Sequence, residues 1–244
     1  MKKYGNLTSM VLTFCLLTLA SFGSQNNEKY VMALTDKQQS IISIAALTAK
    51  GELQLLKPTL NSGLDAGLTI NQIKEALVHT YAYCGFPRSI RGLQTFMEVV
   101  DERKARGITD EMGADASPIN QDLPKYDRGK KVLGELTNAP QDRPLSGYNA
   151  FAPVMDTFLK EHLFSDIFER DVLTYAEREL VTISVISAIG GAEPMLRSHL
   201  SICLNVGITP EQLHNFVDVI RSTLGKKEAR AARIVLDEVL DNRK

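Results

Sequence analysis

Two residues of this chain have the type and surroundings for proton transfer. Glu179 lies in Glu177-Arg178-Glu179-Leu180-Val181. At ~100° per residue its direction falls between Ile183 and Ile186, inside a wide apolar arc. A carboxylate there must be paired or carry a raised pKa. His199, in Glu193-Pro194-Met195-Leu196-Arg197-Ser198-His199-Leu200, flanks the face made by Leu196, Leu200 and Cys203. Each also has a plainer reading: a structural carboxylate paired with a neighbouring Arg, and a satisfied core histidine. Glu75 and His79 are four apart and share one helix face, which points away from the Ile73, Leu77, Tyr81 stripe toward solvent, a pocket or another subunit. Arg88, Arg91, Arg170 and Arg197 have the bidentate geometry to anchor a carboxylate substrate. There is no GxGxxG, P-loop, HExxH or GxSxG, so nucleotide, zinc-protease and serine-hydrolase readings lack a site.

These residues sit in a pattern stated twice, about 140 positions apart. Thr35-Asp36-Lys37-Gln38 returns as Thr174-Tyr175-Ala176-Glu177, Gly67-Leu68-Thr69-Ile70-Asn71-Gln72 as Gly207-Ile208-Thr209-Pro210-Glu211-Gln212, and Gly85 as Gly225. Each Thr-x-x-Gln/Glu is a capping box, and each Gly falls where a helix ends in a left-handed turn. The spacing predicts an all-α protein built from a duplicated helical domain, with repeat 1 over residues 34–103, a linker over 104–146, and a lead-in helix plus repeat 2 over 147–244. The linker is rich in Asp, Gly, Pro and Asn, with one short helix expected around Gly129 to Leu136. The aromatic stretch from Gly147 is expected to form a helix that docks on repeat 2. In the alignment Ser40 stands for Glu179, Thr59 for His199, Asn215 for Glu75 and Val219 for His79. The polar set therefore belongs to one retained site and not to the fold itself.

The bulk composition narrows the rest. At 244 residues and 44% hydrophobic content the chain can bury a sizeable core. A net charge of −1 without a Lys/Arg-rich block argues against nucleic acid, which needs a concentrated basic face. Lys2 and Lys3, the apolar run over residues 11–20 and the small residues after it read as a secretory signal over residues 1–23, too short to span a bilayer. The expected mature protein is exported, to a periplasm, with no stable membrane span. Phe14 directly before Cys15, inside the apolar run, argues against a lipoprotein. Cys84 and Cys203 belong to no CxxC and read as buried small hydrophobes, leaving no dithiol pair and no zinc knuckle.

The run Glu75-Ala-Leu-Val-His79-Thr-Tyr-Ala-Tyr83-Cys-Gly85-Phe-Pro87 resembles the Glu, His, Tyr, Gly and Pro string of the carboxymuconolactone decarboxylase family, within the alkylhydroperoxidase D-like superfamily. Leu173-Thr174, Arg178-Glu179-Leu180-Val181-Thr182, Leu196-Arg197-Ser198-His199 and Gly207-Ile208-Thr209 resemble its other characteristic run, and Phe164-Ser165-Asp166-Ile167 with Arg170 its lead-in. The likeness covers nearly everything after residue 34. Peroxidase members of that superfamily carry a CxxC before the His; here those positions are Ala192 and Met195, or Glu52 and Leu55 in repeat 1, which removes the peroxidatic mechanism. The resemblance implies a decarboxylase working on a small carboxylated lactone with no metal or organic cofactor. It implies His199 as proton donor, Glu179 as its orienting partner, Arg197 or Arg170 on the lactone, and Glu75, His79 and Tyr83 completing the pocket. It also implies a homo-oligomer, trimeric or hexamer-like. A non-catalytic, ligand-binding member of the family is the other class of reading.

Overall fold

Four helices start on a Thr whose hydroxyl accepts the amide three residues on, while that residue's side chain reaches back to the Thr backbone amide: Thr35 with Gln38, Thr69 with Gln72, Thr174 with Glu177 and Thr209 with Gln212. The structure, a computed structural model, describes residues 33–243; the expected export signal and Cys15 lie outside them. Among the described residues there are helices and no strands. Repeat 1 comprises α1 (Asp36–Lys50), α2 (Leu53–Asp65) and α3 (Ile70–Ala105). Gly85 interrupts α3 at φ 80°, ψ 162°, a backbone conformation essentially restricted to glycine. Helix α4 (Lys125–Thr137), two short turns α5 (Gly147–Phe151) and α6 (Pro153–Thr157), and a π-helical segment (Phe158–Ile167) come next. Repeat 2 follows as α7 (Tyr175–Ile189), α8 (Glu193–Asn205), α9 (Pro210–Leu224) and α10 (Lys226–Asp241), the last two separated at Gly225.

Helices α1 and α7 pack on each other and form the centre of the molecule. Both are enclosed over much of their length: Ile41, Ile42, Ile44, Ala45 and Ala46 on one and Leu180, Val181, Ile183 and Val185 on the other are fully buried. The repeats then exchange elements, α3 packing on α7 and α9 on α1. One continuous core results, with side chains from both repeats.

The segment between the repeats is more than a tether. Helix α4 is longer than the sequence suggests, and its Val132 and Leu136 join Leu163, Phe164, Ile167 and Phe168 in a second apolar cluster that borders Tyr83 and Ile202. The approach of α4 to the π-helical segment is close: a Cβ on Gly129 would stand 1.7 Å from the Lys160 carbonyl oxygen. The expected single lead-in helix is broken into three pieces, and it docks chiefly on α4, touching repeat 2 at Ile202, Val206 and Tyr175. Pro153 accounts for one break, since a proline starts a helix more readily than it continues one.

Candidate functional site

The site forms where α3 of repeat 1 meets α7 and α8 of repeat 2. Glu179 on α7 is fully buried, and its Oε2 accepts from Nδ1 of His199 on α8 at 2.8 Å. A carboxylate oxygen only accepts here, so Nδ1 carries the proton and the ring is held in one orientation. Among the described residues Nε2 of His199 has no partner, and the side chain remains 13% exposed, so this is the nitrogen left for a substrate. The other Glu179 oxygen, Oε1, is buried and unpartnered, a group that a ligand's donor would satisfy.

Tyr83 on α3 sets its ring edge-on to His199, with centroids 5.8 Å apart. Burial first, and then the charge of Glu179, push its phenol well above the usual range, so it stays protonated and able to donate. The sequence therefore brings an imidazole, a carboxylate and a phenol together from three helices of two repeats.

Behind them lies a buried polar chain. Glu75 accepts Arg170 Nε and Nη2 at 2.9 Å each in a bidentate grip, and Arg178 Nη2 at 2.7 Å. Burial alone would raise the Glu75 carboxyl; the hydrogen bonds from Arg170 and Arg178 hold it below its usual range. Arg178, fully buried, also donates to the Arg170 carbonyl oxygen and to His79 Nδ1 at 3.2 Å. A guanidinium can only donate, so His79 Nδ1 is an acceptor and its proton sits on Nε2, which reaches Thr182 Oγ1 at 2.9 Å. Burial, then the positive charge of Arg178, pushes His79 well below the ordinary imidazole range and keeps it uncharged. Thr182 Oγ1 lies 3.1 Å from Tyr83 Oη, which completes a line from Glu75 to the phenol. Phe168 packs edge-on against His79 and seals it from water.

Five of the nine residues singled out from sequence thus converge directly or through this chain: His199, Glu179, Tyr83, His79 and Glu75. Arg170 joins at its outer end, half exposed and already held by Glu75. Arg197 does not join. It leaves α8 on the far side from His199 and pairs with Glu238 of α10 at the surface. Arg91 bonds Gln94 on an exposed face, and Arg88 lies over the helix end at Gly51. Arg178 and Thr182 were not singled out. The available signal was an Arg set directly beside an apolar arc on α7, which matches a buried cation needing a partner. Cys203 is enclosed, and burial and the Glu179 charge push its thiol well up; burial also raises Cys84. Neither is poised as a thiolate.

Among the described residues no group of three or more His, Cys, Asp or Glu is placed to hold a metal ion, and no helix is long and apolar enough to cross a membrane. The model of the carboxymuconolactone decarboxylase family matches two stretches, residues 24–96 and 153–238. The 4-carboxymuconolactone decarboxylase of Acinetobacter baylyi is 29% identical over 119 residues, 48% of this chain and 88% of that protein. The alignment with that relative covers about half of this chain.

Proposed function

Because the chain belongs to the carboxymuconolactone decarboxylase family, we propose that it is a cofactor-independent carboxy-lyase acting on a small carboxylated lactone, γ-carboxymuconolactone or a relative. The observation that carries this reading is the buried Glu179–His199 contact, which engages Nδ1 and leaves Nε2 without a partner among the described residues. Breaking the bond to the carboxyl carbon releases CO2 and leaves the electron pair on the ring carbon, from which it spreads into the lactone carbonyl. The site must therefore deliver a proton and stabilise an enolate oxygen. His199 enters the step protonated on both nitrogens, gives its Nε2 proton to the ring carbon, is left as the Nδ1–H imidazole that Glu179 holds, and takes a new proton from solvent. The Tyr83 phenol, kept protonated, donates to the developing oxyanion. Glu179 holds the imidazole in register through Nδ1, and Arg170, steadied by Glu75, offers its outward N–H groups to a substrate carboxylate.

CO2 release from γ-carboxymuconolactone by the purified chain tests the reading. Turnover in the wild type that falls by about 100-fold or more in His199→Ala fits the loss of a general acid. Full turnover in that variant would overturn the role of His199, and no turnover by the wild type would remove this lactone as substrate. The second reading, a ligand-binding member without turnover, draws on one observation: Arg170 and Arg178 are both already paired with Glu75. We further infer export after removal of residues 1–23, from the positive and apolar pattern there. Homo-oligomer formation is supported by the exposed apolar stripe Phe86, Ile90 and Met97 on α3.

A further inference from the structure

The exchange of helices between repeats creates a second place built like the first. As α3 packs on α7, with Tyr83 against His199 of α8, so α9 packs on α1, with α2 lining the cleft there. Position by position, Gln39 stands for Arg178, Ser40 for Glu179, Ser43 for Thr182, Thr59 for His199, Val219 for His79 and Thr223 for Tyr83. The hydroxyl contact is kept: Ser43 Oγ and Thr223 Oγ1 are 3.0 Å apart, as Thr182 and Tyr83 are 3.1 Å apart. The ionisable groups are gone, and each replacement named is neutral. Trading Glu, His and Tyr for Ser, Thr and Thr also removes bulk, and a cleft of about 620 Å³ lies there. That volume is in the range that small-molecule sites occupy.

The hydrogen bonds within the cleft define what it would take. Thr59 donates to the Leu55 carbonyl, Ser62 to that of Pro58 and Ser222 to that of Val219. Gln39 spends an amide N–H on the Leu34 carbonyl. With those protons committed inward, Thr59, Ser62 and Ser222 are left with their oxygens as acceptors along the cleft, beside the Gln39 carbonyl. Among the described residues the one charged group lining it is the Asp36 carboxylate, again an acceptor. Leu47, Leu55, Pro58 and Val219 supply an apolar wall. A carboxylic acid would meet the Asp36 carboxylate and no cation there.

We propose that this cleft is a second small-molecule site, without acid–base chemistry, for compact ligands that bring several O–H or N–H donors and no acid group. It rests on the cleft alone and is independent of any reaction at His199.

The test is ligand-observed NMR titration of the full chain with sorbitol, a neutral donor, diethanolamine, a cationic one, and succinate as the acid. The expected result is saturable binding of sorbitol, of diethanolamine or of both, and none of succinate. Ser62→Phe, at an exposed position that blocks the cleft without touching the core, weakens that binding about tenfold or more. His199→Ala leaves it unchanged. Ser40→Phe, which fills the cleft from α1, gives the same loss and serves as the second obstruction. The proposal is overturned if neither donor probe saturates, if succinate binds as well as they do, if both obstructing variants bind like the wild type, or if His199→Ala abolishes the binding.

Discussion

At the scale of single residues, the site is decided by which atoms can donate. Arg178 has no acceptor, so it fixes the tautomer of His79, and Glu179 fixes that of His199 in the same way. Glu179→Gln keeps the shape but can offer its own N–H to the imidazole, which frees the ring to take the wrong tautomer; CO2 release is expected to drop about 100-fold while the thermal midpoint moves little. Acid sensitivity follows from the buried pair behind the site. The folded chain keeps His79 neutral, whereas the unfolded chain protonates it near pH 6.5, so stability is lost as the pH falls below about 6.5. Glu75, whose carboxyl is lowered by the fold, adds a further loss once the pH drops through about 4.5 and below. Urea midpoints measured between pH 8 and 4 are expected to be flat above pH 7 and then to decline, with His79→Gln showing a shallower slope between pH 6.5 and 5. Glu75→Gln is expected to destabilise at neutral pH by about 3–5 kcal/mol in urea unfolding, because it strips the carboxylate from the enclosed Arg178. Sequence made Glu179 and His199 visible, since each is polar within or beside an apolar arc. It did not reveal Arg178, because its anchor Glu75 is 103 positions away and only the tertiary fold brings them together. Arg197 was misleading for the converse reason: two positions before His199 on a helix is the opposite face.

At the scale of elements, starts and stops were legible because they are local. Every capping box named from sequence forms, and Gly85 breaks α3 where the repeat pattern placed a stop. Thr174→Ala is expected to cost about 1 kcal/mol, read as a shift in urea midpoint, by exposing the first turn of α7. The connecting region was less legible. Its composition reads as linker because turn-forming residues dominate, but its few apolar positions on α4 face partners in the π-helical segment that no local pattern announces. Gly129 illustrates this. In sequence it looks like a weak point in a short helix, yet in the fold it is the contact that lets α4 reach the Lys160 backbone. Gly129→Ala is expected to destabilise by about 1–3 kcal/mol despite the better helix propensity of alanine, because the added methyl must push two backbones apart. A neutral or stabilising result in urea unfolding would show that the two helices can separate without loss.

At the scale of the molecule, duplication with exchanged helices gives two composite locations, each drawing on both repeats. Neither repeat carries a complete site, and α1 and α7 bury each other, so residues 34–106 expressed alone are expected to lack the cooperative unfolding transition of the full chain. A transition in circular dichroism as sharp as that of the intact protein would show that one repeat stands by itself. The same crossing of helices has another consequence. Gln39, Ser40, Ser43, Thr59, Val219 and Thr223 are distinct from Arg178, Glu179, Thr182, His199, His79 and Tyr83, so the two locations share none of these side chains. Substitutions at one set leave the other set's side chains in place. Ser40→Glu with Thr59→His would place the Glu179–His199 residue pair at the matching positions of repeat 1, while the other side of the protein serves as its internal reference.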